Sequence, residues 1–336
     1  MTSLNIIHEK ESRDMKRTNL VTLFFSIFFI LGLASSGIAD NFPTRPIRFI
    51  IPFPPGGGND IVGRAIQRPL EKELGTKVIM ENIPGGATKV ATLELAKAKP
   101  DGYTIMILPD QAWLGLYYSK TYDTKMWEKI TPISGLTSEP WGFIETRVES
   151  AYKNWSDFVK AATDKPGKLS CGTPYSGGVL ELIFNQLTKA AGIDVTYVPF
   201  AGAGPAQIAM LGGHIDVRIC MAPEAINMIK AGKSRGLVTA GEKRLKALPD
   251  VPTFKELNLG ESLYLTRSIW GPPNLPQNIL NVLSRGIEKA IQDPDFVKLI
   301  ENDLMYTVDF APGPKVLEEL RKFDSKYGPR LAASYK

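Results

Sequence analysis

Histidine, cysteine and long apolar runs are all scarce in this chain of 336 residues. Two cysteines exclude a disulfide-dense scaffold and a cysteine-rich zinc or iron–sulfur site. The basic excess is small, with 40 lysines and arginines against 35 aspartates and glutamates, and it is spread along the chain. Such a diluted excess does not by itself indicate nucleic-acid binding. A hydrophobic share of 43% is ordinary for a globular protein, and the length suggests two domains.

The N-terminus has the pattern of an export signal. Lys16 and Arg17 precede an uncharged apolar run of 14 residues, Leu20 to Leu33, and Gly37 and Ala39 then form a small-x-small pair. The run is shorter than the ~20 residues that span a bilayer. We therefore expect residues 1–39 to be a cleaved signal peptide and the mature protein to lie in the periplasm. A retained membrane anchor is the alternative.

Strand and helix patterns alternate along the rest of the chain. The first series has strands at 47–52, 77–81 and 103–108, with helices at 60–74 and 88–99. A second series begins near residue 141, with strands at 168–171, 195–199, 215–220 and 235–239 and helices at 155–162, 179–191, 204–211 and 223–231. The final third has a strand at 263–270 and helices at 276–292, 294–303 and 312–327. This alternation predicts an α/β fold with parallel sheets and right-handed crossovers.

The main chemical signal is a glycine-rich loop between a strand and a helix start, repeated four times. The four loops are 52–60, 84–88, 172–178 and 201–205. Glycine lets backbone N–H groups approach a ligand, and a helix N-terminus adds unpaired donors and partial positive charge. The pattern favours an anion such as a carboxylate or phosphate.

Competing chemistries fit the motifs less well. Gly56 and Gly58 resemble the start of a dinucleotide fingerprint, but Ile61 stands at the third glycine position and no P-loop occurs. Ser176 lacks the first glycine of a G-x-S-x-G elbow. His214, the sole histidine after residue 39, is interpreted as a turn residue. We therefore expect no metal site and no cofactor.

The cysteines and tryptophans are interpreted as packing residues. Cys171 and Cys220 fall at the ends of predicted strands; they could pair, but two buried free thiols are favoured. Trp113 and Trp270 are not interleaved with basic residues, which favours core packing over a base-stacking platform. Both stay candidates for lining a ligand cleft.

Short motifs in a fixed order resemble the Bug-type solute-binding proteins, the extracytoplasmic receptors of tripartite tricarboxylate transporters. The segments that carry the resemblance are 42–48, 52–60, 82–87, 98–104, 198–206, 211–217, 229–233 and 247–253. The resemblance spans nearly the whole chain after the signal peptide, from about 42 to 330.

The resemblance implies a type II periplasmic-binding-protein fold, in which two α/β domains are joined by two crossover strands and close on a ligand. Domain 1 would comprise 42–140 plus 268–336, and domain 2 would comprise 141–267. The family holds a ligand carboxylate mainly through backbone amides of the glycine loops. The candidates for ligand binding are Pro54, Gly56, Gly57, Asn59, Asp60, Gly85, Gly86, Ala87, Thr88, Asp110, Thr173, Ser176, Gly177, Gly202, Gly204, Ala206 and Cys220.

Departures from the family pattern fall where the ligand is selected. Thr88 and Lys89 stand where the second loop usually continues with glycines, and Gly178 to Glu181 replace small hydroxyl residues and a histidine. Cys220 stands where many members carry an aspartate. An acidic residue that could meet an ammonium group is thus missing, which weakens an amino-acid assignment. The identity of the carboxylate is therefore not transferred.

The sequence leads to a functional hypothesis. We expect a non-enzymatic, monomeric binding protein that captures a small carboxylate and delivers it to the subunits of a membrane transporter, with no nucleic-acid partner. A sensory receptor on the same fold is one alternative. A secreted hydrolase using Ser176 or Cys171 is another, disfavoured by the missing second histidine.

Overall fold

Two β-sheets with flanking helices make up the computed structural model, which describes residues 42–56, 58–173, 179–200 and 203–334. The strands are β1 (Ile47–Ile51), β2 (Val78–Asn82), β3 (Thr104–Pro109), β4 (Thr131–Pro140), β5 (Phe143–Arg147), β6 (Ser170–Thr173), β7 (Thr196–Pro199), β8 (Val217–Cys220), β9 (Ser234–Thr239), β10 (Tyr264–Gly271) and β11 (Thr307–Pro312). The helices are α1 (Gly58–Leu74), α2 (Lys89–Lys97), α3 (Ala112–Tyr118), α4 (Trp155–Asp164), α5 (Val179–Ala191), α6 (Ala203–Leu211), α7 (Ala222–Lys230), α8 (Gln277–Ala290), α9 (Pro294–Val297) and α10 (Gly313–Ser334). Shorter 3-10 turns cover Gly86–Thr88 and Met126–Glu128, and a π-helical turn covers Lys298–Asp303.

The first sheet has six strands in the order β11-β4-β10-β3-β1-β2. Its β1, β2 and β3 run parallel and are connected through α1 and α2, which confirms the predicted strand–helix alternation. The predicted strand at 263–270 is β10, which pairs antiparallel with both β3 and β4. The apolar residues of β1 and β3 are fully buried because helices cover both faces of this sheet.

The second sheet has five strands in the order β7-β6-β8-β5-β9. Its β7, β6 and β8 are parallel, and they correspond to predicted strands of the second series. The strands β5 and β9 complete the sheet in antiparallel pairing.

Two crossovers join the sheets, one short and one long. The chain passes from β4 to β5 through Trp141 and Gly142 alone, and it returns from β9 to β10 through residues 240–263. The crossovers are hydrogen-bonded to each other, since the Trp141 amide donates to the Leu263 carbonyl at 2.7 Å and the Ala240 amide donates to the Gly142 carbonyl at 2.7 Å. The strands β4 and β10 of the first sheet, which lead into and out of these connections, are the two crossover strands of the predicted two-sheet α/β arrangement.

A continuous apolar core contains residues from α3, α5 and α10, so it extends from one sheet to the other. Trp113 and Trp270 lie inside it with no exposed surface, edge to face at 4.7 Å between ring centroids. The Trp113 indole N–H donates to the Thr92 hydroxyl at 3.2 Å. The predicted packing role is confirmed, and the prediction that these two rings line a cleft is wrong.

Four elements have no counterpart in the sequence prediction: β4, β5, β11 and α3. The last helix is also longer than predicted and runs to Ser334. Within the described ranges, no helix is long and apolar enough to cross a membrane.

Candidate functional site

The first two glycine loops leave the first sheet side by side. Strands β1 and β2 are parallel neighbours, with Ile51 opposite Asn82, and the Ile83 amide donates to the Ile51 carbonyl at 2.9 Å. Their carboxyl ends therefore lie at one edge, where ligands of open α/β sheets bind. The first loop leads into α1 and the second leads through the turn Gly86–Thr88 into α2.

Asp60 shapes the first loop from within. Its carboxylate accepts hydrogen bonds from the Gly56 amide at 2.9 Å, from the Asn82 side-chain amide at 2.8 Å and from the Arg64 guanidinium at 2.9 Å. Burial would raise the pKa of this carboxyl, but the hydrogen bonds and the charge of Arg64 hold it below its ordinary value. The structure thus commits the side chain of this predicted ligand residue to the loop itself.

Asn82 connects the two loops and was not among the predicted site residues. Its side-chain N–H₂ donates to the Phe53 carbonyl at 3.0 Å as well as to Asp60, and its oxygen accepts from Arg64 at 2.7 Å. A polar residue at the end of β2, beside a glycine loop, is the sequence signal that could have revealed it.

The second loop needs glycine for its backbone. Gly85 and Gly86 have φ of 138° and 54°, and Thr88 is also left-handed at 86°. A Cβ on Gly85 would lie 2.9 Å from a Val90 methyl group. Both glycines are exposed, whereas the Thr88 side chain is only 2% exposed. This loop therefore offers backbone atoms to a ligand. Pro54 and Gly56 of the first loop are also exposed, but Pro54 has no N–H and the Gly56 N–H already donates to Asp60. Ala87 lies within the turn.

The third and fourth loops leave the second sheet together. Strands β6 and β7 are parallel neighbours, with Thr173 opposite Pro199, and the Phe200 amide donates to the Thr173 carbonyl at 2.9 Å. The Thr173 hydroxyl bonds to the Tyr197 hydroxyl at 2.7 Å. Gly204 is exposed in the first turn of α6, and Ala206 is buried there. Four predicted residues lie outside the described ranges: Gly57, Ser176, Gly177 and Gly202.

Beneath the fourth loop lies a buried ion pair. The Arg218 guanidinium bonds to the Glu145 carboxylate at 2.5 Å, and both side chains are at most 1% exposed. The same guanidinium donates to the Ala203 carbonyl at the start of α6, at 3.3 Å. Glu145 also accepts from the Ser234 hydroxyl at 2.5 Å. The pair joins β5 and β8 to the helix that begins at the predicted loop.

Asp110 is held by the crossover strand β10. Its carboxylate accepts from the Thr266 hydroxyl at 2.8 Å, the Ser268 hydroxyl at 2.6 Å and the Trp270 indole at 3.0 Å. Burial raises its pKa to about 6, against the opposing effect of these hydrogen bonds. The carboxylate of this predicted ligand residue therefore links the end of β3 to β10.

The two cysteines are buried free thiols, as the sequence favours. The Cys220 thiol donates to the Phe143 carbonyl at 3.6 Å, inside the second sheet. Cys171 has no exposed surface, and burial raises the pKa of both thiols. A nucleophilic role for Cys171 fails on these grounds, because a reactive cysteine needs an accessible thiolate. His214 is exposed in the turn before β8, as expected.

A cavity of about 640 Å³ lies elsewhere, between β10 and α10, and Asp110 alone of the predicted residues lines it. Three of the four cations that line it are already paired with carboxylates: Arg267 with Glu139, Lys322 with Glu319 and Lys326 with Glu261. It therefore suits an anion less well than the glycine loops do. The described part of the chain holds no group of three or more His, Cys, Asp or Glu side chains that could bind a metal ion.

Fold and site together define a two-domain, periplasmic-binding-protein-like solute receptor. The sequence matches the tripartite tricarboxylate transporter family receptor over residues 62–311, and the chain belongs to this family. It is 28% identical over 290 residues to protein BugT of Bordetella pertussis, covering 84% of this chain and 88% of BugT. These matches confirm the Bug-type resemblance.

Solved structures agree with this membership. A TctC solute-binding protein from Polaromonas superposes with a TM-score of 0.72 at 26% identity, covering 86% of this chain and 98% of that one. MatC from Rhodopseudomonas palustris, solved with bound malate, superposes with a TM-score of 0.67 at 25% identity, covering 88% of this chain and all of that one. The chain is thus a receptor of the solute-binding type.

Proposed function

We propose that this protein binds a small carboxylate at its first two glycine loops and delivers it to the membrane subunits of a tripartite tricarboxylate-type transporter. The observation that carries the proposal is the side-by-side exit of these loops, with exposed backbone at Gly85 and Gly86 and with the long helix α1 beginning directly after the first loop. Free N–H groups at a helix start favour a carboxylate. The malate-bound relative MatC supports the same ligand class.

The proposal also covers the export of the protein and the domain motion on ligand binding. The signal peptide 1–39 directs the chain to the periplasm and is removed before Asp40. Residues 42–140 plus 268–336 form one domain and 141–267 the other, and the monomer closes about the crossovers when the ligand binds. Closure removes water from the carboxylate, which strengthens its charge-assisted hydrogen bonds.

The test is a thermal-shift and calorimetric titration of residues 40–336. The probes are malate, citrate and propionate, with dimethyl malate as the uncharged counterpart of malate. A carboxylate at about 100 times its dissociation constant adds about 2.7 kcal/mol of stability, which is several degrees in Tm at about 2–4 °C per kcal/mol. Dimethyl malate should give no shift.

Two variants of one residue locate the site. Gly86→Asp places a negative charge at the second loop, whereas Gly86→Asn introduces a side chain of the same shape without charge, and asparagine tolerates the left-handed φ of 54°. We expect Asp to abolish carboxylate binding and Asn to retain it. Equal loss in both variants, or no carboxylate response in the unmodified protein, contradicts the proposal.

A further inference from the structure

Arg267 is a buried arginine on the crossover strand β10, only 5% exposed, and it faces away from Asp110. Its neighbours Thr266 and Ser268 bond to Asp110 on one face of the strand, so Arg267 points to the opposite face. A cation buried in this way is stable only when it is paired and hydrogen-bonded.

One side of the guanidinium supports the start of α1. Its Nε donates to the side-chain oxygen of Asn59 at 3.0 Å. A Cβ on Gly58 would lie 3.2 Å from the Tyr306 hydroxyl and 3.3 Å from Nη2 of Arg267. The first turn of the helix thus rests directly on Arg267 and Tyr306, and glycine at 58 permits this close approach.

The other side of the guanidinium is fixed to the second crossover strand. Nη2 lies 2.7 Å from the carboxylate of Glu139, which is 2% exposed on β4. The Tyr306 ring lies 4.6 Å from the guanidinium carbon and supports its orientation. One planar group therefore donates a hydrogen bond to α1 and forms an ion pair with β4, while its own backbone belongs to β10.

We propose that Arg267 is a positioning residue for the first glycine loop: it fixes the start of α1 to both crossover strands without touching the ligand. The inference deepens the proposed function and rests on it for its effect on affinity. Both bonds need the rigid fork of arginine, because lysine presents a point charge on a flexible stem. Lysine at 267 would keep the charge and lose one of the two attachments.

The experiment measures loop order separately from binding. Hydrogen exchange of the backbone amides of residues 62–65, which donate to the carbonyls of the first helical turn, reports how firmly the helix start is held in the ligand-free protein. Calorimetry with malate as the probe reports affinity. The variants are Arg267→Lys, Asn59→Leu, which has a similar shape but no acceptor, and Asn59→Asp, which keeps the acceptor. Arg321→Lys is the matched control, since Arg321 pairs with Glu128 on the surface.

We expect exchange of residues 62–65 to rise about tenfold in Arg267→Lys and in Asn59→Leu, because each loses one attachment of the first helical turn to a charged group. Malate affinity should fall by a similar factor. Asn59→Asp should keep wild-type exchange, and Arg321→Lys should change neither quantity. If Arg267→Lys does not fold, the two Asn59 variants decide the question.

Wild-type exchange in Asn59→Leu overturns the proposal, as does equally fast exchange in Asn59→Leu and Asn59→Asp. If the exchange results hold while the unmodified protein responds to no carboxylate in the titration, the proposed function fails and Arg267 still positions the loop. The two proposals are therefore tested independently.

Discussion

Replacing Asp110 by asparagine should stabilise the protein at neutral pH. Asp110 is fully buried, and burial raises its pKa from the ordinary 3.8 to about 6. Ionising it in the folded state therefore costs free energy that ionising it in the unfolded state does not. The difference corresponds to about 3 kcal/mol at about 1.4 kcal/mol per pH unit.

The sign follows from the raised pKa. Protonated Asp110 is more compatible with the folded state than ionised Asp110. This contribution to the free energy of unfolding is fully present below pH 3.8 and is lost as the pH rises through about 6. Asparagine stays neutral throughout and can still serve the same partners, since its oxygen accepts from the Trp270 indole and its N–H₂ donates to the hydroxyls of Thr266 and Ser268. The gain from Asp110→Asn should thus be near zero at about pH 4 and reach about 3 kcal/mol above about pH 7.

The assay is urea denaturation of the wild type and of Asp110→Asn at a series of pH values, with the difference in free energy of unfolding plotted against pH. Other titrating groups cancel in that difference. Asp60→Asn is the opposing control: the pKa of Asp60 is lowered, so its loss should cost stability at neutral pH, and the cost should shrink as the pH falls. A difference for Asp110→Asn that stays flat, or that shrinks as the pH rises, refutes the reasoning.

Two further predictions concern the second sheet. Neither Cys171 nor Cys220 should react with a thiol reagent at pH 8 in the native protein, because both thiols are buried and their pKa values are raised. Both should react in urea. Rapid labelling of either cysteine in the native protein contradicts its buried placement. Gly172→Ala should destabilise by about 1–3 kcal/mol in urea denaturation, because the new Cβ would lie 2.2 Å from the Ile215 side chain. Gly204→Ala is its control, because nothing lies within 4 Å of a Cβ at that position. The free energy of unfolding should there rise by up to about 1 kcal/mol, since alanine favours a helix more than glycine does. Equal losses of stability in the two variants would show that packing is not the cause.

Periodicity was enough to predict the regular parts of the fold. The series β1-α1-β2-α2-β3 follows from apolar runs and helix-spaced apolar residues closed by glycine. The strand β4 was missed because its sequence, TPISGLTSEP, has prolines near both ends and few apolar residues. It is buried nevertheless, since it lies between β10 and β11, and the Ser134 hydroxyl bonds to that of Ser284, 150 residues away. Contacts between segments so far apart in the chain leave no signal in the local sequence pattern of β4.

The position of the candidate site could be predicted from the sequence about as well as the regular strands and helices could. Glycines mark where backbone must approach a ligand, so the loops could be located from the sequence. The side chains that shape the loops were harder to predict, because they come from distant segments. Asn82 stands beside a glycine loop, which is a usable signal, but Arg267 on β10 has no local sequence signal that connects it to the start of α1. Asp60 and Asp110 were predicted as ligand residues, and in the structure the carboxylate of each accepts hydrogen bonds from neighbouring donors of the protein.

Charged residues inside strands are the feature that the sequence least explains and the structure explains best. Glu139 pairs with Arg267 in the first sheet, and Glu145 pairs with Arg218 in the second. Apolar residues of the same volume would be as stable or more so, because burying two charges costs desolvation. Such residues, however, would leave the Asn59 side chain and the Ala203 carbonyl without these partners. Directional bonds at these points fix the starts of α1 and α6 in register with their strands, which non-directional apolar packing would not do.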